Sequence, residues 1–207
     1  MPPAPFSRFR PHPWHGLPTR PEQPDLVFAY IEITPSNTVK YEIDKPTGYL
    51  RVDRPQPTNA LPPMPYGFVP RTLCDRRVAA LAGTARGDGD PLDICVLSER
   101  PIDQADVLAA VHIIGGLLMT DKDEADDKLI GVVHRDPVWG HARELHDVPA
   151  SLIERLRHYL MTYKLSAAGN PVVVSAPYGR ERAEAVLQAA LDDYQACYAD
   201  AGVSQVS

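Results

Sequence analysis

The amino-acid sequence predicts an α+β fold, mainly β, in which a small, strongly curved or closed antiparallel barrel carries helices against it. Three observations lead there. Short apolar or alternating runs follow one another from residue 26 to residue 133. Patterns with a helical period appear only after residue 150. No internal repeat is visible that would indicate a solenoid or propeller. A chain of 207 residues, 44% hydrophobic and 23% charged, is long enough for one core of good size.

The elements read in order as follows. Residues 1–24 are proline-rich and hold His12 and His15 in HPWHGL; they read as an extended arm lying over the domain, with Trp14 as apolar anchor. The two histidines have metal-ligand spacing, but an irregular anchored arm is the simpler reading. Residues 25–207 read as a single domain. Residues 26–33 (LVFAYIEI) form a strand with Glu32 near its end. Val39–Ile43 alternates, with Val39, Tyr41 and Ile43 on one face and Lys40 and Glu42 on the other. DKPTGY is a turn, and residues 49–53 return as a strand ending at Arg54, completing a β-meander. Residues 56–68 hold four prolines and are expected to be irregular. Residues 71–87 read as a loop-like insert, 92–97 as a strand, 107–119 as one or two strands broken at Gly115-Gly116, and 128–133 as another strand. Residues 151–164 carry the helical stripe Leu152, Ile153, Leu156, Tyr159, Leu160, Tyr163, with Ser151 and Glu154 in capping-box spacing. PVVVS at 171–175 is a strand, and a second helix spans 180–200.

Composition excludes several classes. A net charge of −6 argues against nucleic acid as the main partner. The N-terminus has no apolar h-region, and the longest apolar stretch, 107–119, falls short of the roughly 18 residues a membrane span needs. Cys74, Cys95 and Cys197 are sparse and unpaired in spacing, which fits a reducing cytoplasm.

Chemistry concentrates in two acidic loops. GDGDPLDICV places Asp88, Asp90 and Asp93 at the mouth of an apolar run. Oxygen-only donors in a tight loop suit a hard cation such as Mg²⁺ or Ca²⁺, which turns their mutual repulsion into attraction. An EF-hand is rejected, since Asp93 stands where the loop needs glycine. A DxD nucleotide-sugar site and a plain solvated turn remain open for this loop alone. DKDEADDK offers Asp121, Asp126 and Lys128 at the end of a second apolar run. Two such loops meeting at one rim of a barrel would hold two or more metals able to clamp a phosphoryl group. Lys40, Arg54, Lys128 and Lys164 are candidate cations for such an anion, and Tyr66 and Tyr163 candidate site aromatics. Each also has an ordinary structural reading.

Together, DGDPLDICV, IEI at 31–33, KYEIDK at 40–45, VDR at 52–54, YGF at 66–68, MTDKDEADDK at 119–128 and HYLMTYK at 158–164 make the sequence resemble the family I soluble inorganic pyrophosphatases over roughly residues 26–165. The resemblance implies a five-stranded OB-like barrel flanked by two main helices in the C-terminal half. It also implies hydrolysis of inorganic pyrophosphate to two orthophosphates by a metal-bridged water, with several Mg²⁺ ions per site and Mn²⁺ or Zn²⁺ as possible substitutes. Asp88, Asp93 and Asp126 look like direct ligands of the metal pair, Asp121 like a ligand of the metals arriving with substrate, and Glu32 and Glu42 like outer ligands. Asp90 looks like the base, Tyr66 like the tyrosine near the nucleophile, and Lys40, Arg54, Tyr163 and Lys164 like ligands of phosphate oxygens, with Lys128 supporting the acidic cluster. A cytoplasmic homo-oligomer acting on a small molecule, with neither nucleic acid nor membrane as partner, follows from the same likeness. Two features depart from it: Pro62 stands where many members carry tyrosine, and the 71–87 insert is positioned to cover the site or alter a subunit interface. A cation-binding domain without catalysis, and a hydrolase of another phosphoanhydride such as a nucleotide, are the competing readings.

Overall fold

A computed structural model describes residues 10–165 and 172–199. Strands β1 (Val27–Ile33), β4 (Tyr66–Phe68), β6 (Asp93–Leu97), β9 (Lys128–Val133) and β7 (Val107–Asp121) are hydrogen-bonded in that order, and β7 closes back on β1. The ring is the expected five-stranded barrel. Its pairings are antiparallel except β6 with β9, which is parallel with Asp93 opposite Lys128. The chain reaches β9 from β6 only after running the length of β7, and a parallel partner needs such a crossover.

β7 is the longest strand. Its first half pairs with β1, its middle with β9, and its end with β10 (Val172–Gly179) and the short β8 (Glu124–Ala125). The break expected at Gly115-Gly116 is instead a register shift between Ile113 and Gly115. A Cβ on Gly115 would stand 2.5 Å from both the Tyr178 carbonyl oxygen and Leu145 Cγ, so only glycine lets β10 and the loop around Leu145 close on the bent strand.

Three other expectations are corrected. β1 does not join β2 (Val39–Ile43) and β3 (Leu50–Pro55) in a meander: β2 and β3 form a separate two-stranded sheet. In place of a ladder, the Glu32 carboxylate accepts the Ile43 N–H at 2.7 Å. Residues 66–68, expected to be irregular, are barrel strand β4, because the prolines stop at Pro65 and leave three donors for pairing. The 71–87 segment contains helix α1 (Arg76–Ala82) and the short strand β5 (Arg86–Gly87). The helix is capped by Asp193 of α3 (Arg180–Tyr198), whose carboxylate accepts the N–H groups of Asp75, Arg77 and Val78.

Helix α2 (Ala150–Thr162) begins before Ser151, with Pro149 at its N-cap position, and the Ser151/Glu154 box is not its cap. A capping box does form nearby, between Glu144 and Asp147. Ile153, Leu156 and Leu160 of its stripe are buried against Leu117, Met119 and Ile130. On α3, Ala183, Leu187 and Ala190 pack on Ile94, Val111 and Leu129. Pro171 and Asp200, at the ends of expected elements, lie outside the described residues.

Within residues 10–24, Trp14 anchors the chain to the domain. Trp14 is buried, and its indole N–H donates to the Thr72 carbonyl at 2.7 Å. His12 and His15 are engaged in hydrogen bonds, His15 with the Tyr194 hydroxyl at 2.7 Å.

Candidate active site

One rim of the barrel opens into a cavity of about 260 Å³. The ends of several strands feed it. β1 supplies Glu32, β2 supplies Lys40 and Glu42, β4 supplies Tyr66, and the loop before β6 supplies Asp88, Asp90 and, at the strand's first residue, Asp93. The end of β7 supplies Asp121, the β8–β9 link Asp126, the start of β9 Lys128, and the C-terminal end of α2 Tyr163 and Lys164. The two acidic loops found in the sequence therefore meet. The parallel β6–β9 pairing joins them by setting Asp93 beside Lys128.

Arg54 is the one expected site residue outside the cavity wall. It faces Lys40 across the hairpin register, and its guanidinium is taken by Asp53. Lys45, Glu124 and Pro91 line the cavity without having been singled out. Asp53, 3.2 Å from the Lys40 ammonium, is a further acidic neighbour. Lys45 and Asp53 belong to the KYEIDK and VDR motifs, but sequence reasoning assigns neither a role in the site. The 71–87 segment contributes nothing to the cavity wall. Pro62 lies in a small apolar recess beside the cavity, with Tyr159, Tyr163 and Tyr66.

Ammonium groups pair with carboxylates across the cleft. The Lys128 ammonium is buried and bonds both Asp93, at 2.5 Å, and Asp126. Tyr66 donates its hydroxyl to Asp93. Lys164 meets Asp121 at 2.5 Å, and Lys40 meets Glu42 at 3.1 Å. Gly89, at φ +74°, turns the loop so that the Asp90 N–H reaches the Asp88 carboxylate at 3.0 Å.

Burial and crowding shift these groups. Glu32 is pushed up to about 8 by burial and by the Asp93 charge. Asp88 is likewise raised to about 8 by burial and by Asp126 and Asp93, with Lys128 opposing. Burial raises Asp93, against the pull of Lys128. Lys128 is desolvated, which works against its charge, yet Asp126 and Asp93 hold it firmly protonated.

The donor set suits a hard divalent cation. It is all oxygen, burial and neighbouring carboxylates hold Glu32, Asp88 and Asp93 back from ionising, and Asp121 Oδ1 is buried without a hydrogen-bond partner. Among the described residues no three carboxylates converge on one point. Lys128 lies between Asp93 and Asp126.

The family whose description is "Inorganic pyrophosphatase" matches residues 29–195. The inorganic pyrophosphatase of Chlamydia muridarum is 40% identical over 195 residues, covering 88% of this chain and 93% of that protein. The soluble inorganic pyrophosphatase of Zea mays is 34% identical over 183 residues, covering 88% of this chain and 79% of that one. The crystal structure of inorganic pyrophosphatase from Thermus thermophilus superposes with a TM-score of 0.76 at 32% identity, covering 88% of this chain and 99% of that chain. The chain belongs to the family I soluble inorganic pyrophosphatases.

Proposed function

We propose that this chain hydrolyses inorganic pyrophosphate to two orthophosphates in the acidic cleft, with Asp90 as the base and magnesium as the resident cation. The observation that carries the reading is the meeting of eight carboxylates, four ammonium groups and two tyrosines around one cavity. Asp88, Asp93 and Asp126 are the residues suited to the inner magnesium ions, Asp121 to those entering with substrate, and Glu32 and Glu42 to outer positions. Magnesium, when bound, neutralises phosphate charge and makes a water more acidic.

The chain's own residues do the rest. The Asp90 carboxylate takes a proton from the attacking water. It is suited to this by standing in the loop turned by Gly89, half-exposed, with its backbone tied to Asp88. Lys40, Lys164 and Tyr163 offer donors to phosphate oxygens, stabilising charge as it builds on the leaving phosphate. Arg54 can join them by swinging from Asp53, since its side chain is 44% exposed. Lys128 offsets the charges of Asp93 and Asp126, and Tyr66 fixes the Asp93 carboxylate by its hydroxyl.

The reading includes a single catalytic domain from residue 25 onward, a cytoplasmic setting and a homo-oligomer. Free cysteines support the second and exposed Leu165 and Val173 the third. Among the described residues no helix is long and apolar enough to cross a membrane.

The test is orthophosphate release from pyrophosphate with magnesium and with chelator, beside Asp90→Asn and with ATP as rival substrate. Fast magnesium-dependent release, slow on ATP and lost in Asp90→Asn, supports the reading. No release from folded protein at saturating magnesium or manganese overturns it.

A further inference from the structure

The β2–β3 hairpin brings Lys40 and Glu42 into the cleft, yet no backbone ladder ties it to the barrel. A lone two-stranded hairpin is marginal in water, so its placement depends on what touches it. Just before its turn, at the Ile43–Leu50 pair, Glu32 takes the Ile43 N–H. At its turn, residues 45–48, the contact is with the N-terminal arm.

That contact is specific. His12 Nδ1 accepts the backbone N–H groups of Trp14 at 3.2 Å and His15 at 3.3 Å. The proton of the neutral ring therefore sits on Nε2, which donates to the Lys45 carbonyl at 3.0 Å. Gly48, at φ +72°, lets the turn lie directly on the arm. A Cβ there would stand 2.7 Å from Pro13 Cδ and 2.8 Å from His12 Cδ2. The arm is in turn fixed to the segment that carries the Asp90 loop. Trp14 donates to the Thr72 carbonyl, and the Arg71 N–H donates to the Trp14 carbonyl at 2.9 Å. Thr72 Oγ1 accepts the Leu92 N–H at 2.8 Å, and the Cys74 N–H donates to the Asp90 carbonyl at 2.8 Å.

The arm thus holds the hairpin turn and the Asp90 loop in one frame. Between them, the Lys45 ammonium lines the cavity, pairs with the Asp90 carboxylate and lies 3.4 Å from the Gly89 carbonyl. We propose that Lys45 is a further substrate-binding cation and that His12, in the N-terminal arm, is the residue that positions it. A pyrophosphate carries more negative charge than one carboxylate and draws the flexible ammonium to its oxygens. That move leaves Asp90 free to accept a proton. The inference rests on the reading of this cleft as the pyrophosphate site.

The experiment measures KM and kcat for pyrophosphate at saturating magnesium in the full chain. The variants are Lys45→Met, Lys45→Arg, His12→Ala, His12→Gln and the double variant Lys45→Met/His12→Ala, each checked by circular dichroism and thermal melting. Lys45→Met should raise KM about tenfold with folding intact, the loss of one charge-assisted contact, and Lys45→Arg should recover most of it. His12→Ala should raise KM about fivefold, and His12→Gln, whose amide can still donate to the Lys45 carbonyl, should restore it. A merely structural role for His12 would lower the melting temperature and the active fraction, hence kcat, and leave KM in place. The double variant should match Lys45→Met alone, because His12 acts through Lys45. Wild-type KM and kcat in Lys45→Met, or multiplied effects in the double variant, overturn the proposal. Absence of phosphate release from the wild-type chain overturns the underlying function and this inference with it.

Discussion

Replacing Asp193 by alanine should destabilise the chain by about 3 kcal/mol, although Asp193 lies outside the cleft. Its side chain is 1% exposed, and one carboxylate satisfies the N-terminus of α1. The Asp75, Arg77 and Val78 N–H groups reach it at 3.2, 3.0 and 3.2 Å, and the Arg77 guanidinium at 2.9 Å. Losing a cap costs roughly 1–2 kcal/mol. The Arg77 ion pair is half-exposed and adds less than about 1 kcal/mol. Val78 is fully buried, so its N–H has no water to turn to and adds a further ~1–2 kcal/mol. For a chain of this size the sum corresponds to a fall in Tm of about 6–12 °C. Asp193→Asn keeps one acceptor and should lose about half as much. Urea titration followed by circular dichroism, with m unchanged and the midpoint lowered, is the assay. A change in Asp193→Ala below about 0.5 kcal/mol would refute the reasoning, and so would equal losses in the two variants.

Three other outcomes are expected. Gly67→Ala should cost at least about 3 kcal/mol or yield insoluble protein, because its Cβ would fall 1.8 Å from the Tyr30 carbonyl oxygen; a melting temperature near wild type refutes that. Magnesium at about 100 times its dissociation constant should stabilise the chain by about 2.7 kcal/mol per site in a thermal melt, an effect chelator reverses and Asp88→Asn reduces. His15, pushed down from 6.5 to about 4 by burial and then by His12 and Arg71, takes up its proton more readily when unfolded. Its contribution is therefore intact above 6.5 and is lost as pH falls from there toward about 4. His15→Gln should show a shallower decline of Tm across that window, and an unchanged slope counts against the assignment.

What the sequence discloses and what it conceals divide along contact range. DGDPLD and DKDEADDK stand out because their carboxylates are contiguous, and the stripes of α2 and α3 because burial repeats every three to four residues. That the acidic loops meet depends on the parallel β6–β9 pairing, which alternation does not encode. Val39–Ile43 alternates correctly, but the pattern does not say which strand lies beside it, so the expected meander became a separate hairpin. Helix α1 escaped because it has seven residues and its cap comes from 116 positions away. β4 was hidden by the prolines before it. Trp14 was legible as an anchor; the grip of His12 on the Lys45 carbonyl was not, since nothing in either segment marks the other.

The closure of β7 on β1 also sets when the enzyme can exist. The strand that opens the barrel, residues 27–31, finds its partner only at residues 107–111, and such distant pairing is slow because a long loop must first be ordered. During synthesis the acidic loop at 88–93 leaves the ribosome before its ring can shut. Lys164 follows later still, and α3, which caps α1 and packs on Trp14 through Tyr194, comes last. The carboxylates, lysines and tyrosines of the cleft are thus translated one after another but become a site together, and a nascent chain stalled before β9 holds Asp88 and Asp93 without Lys128, the lysine that offsets them.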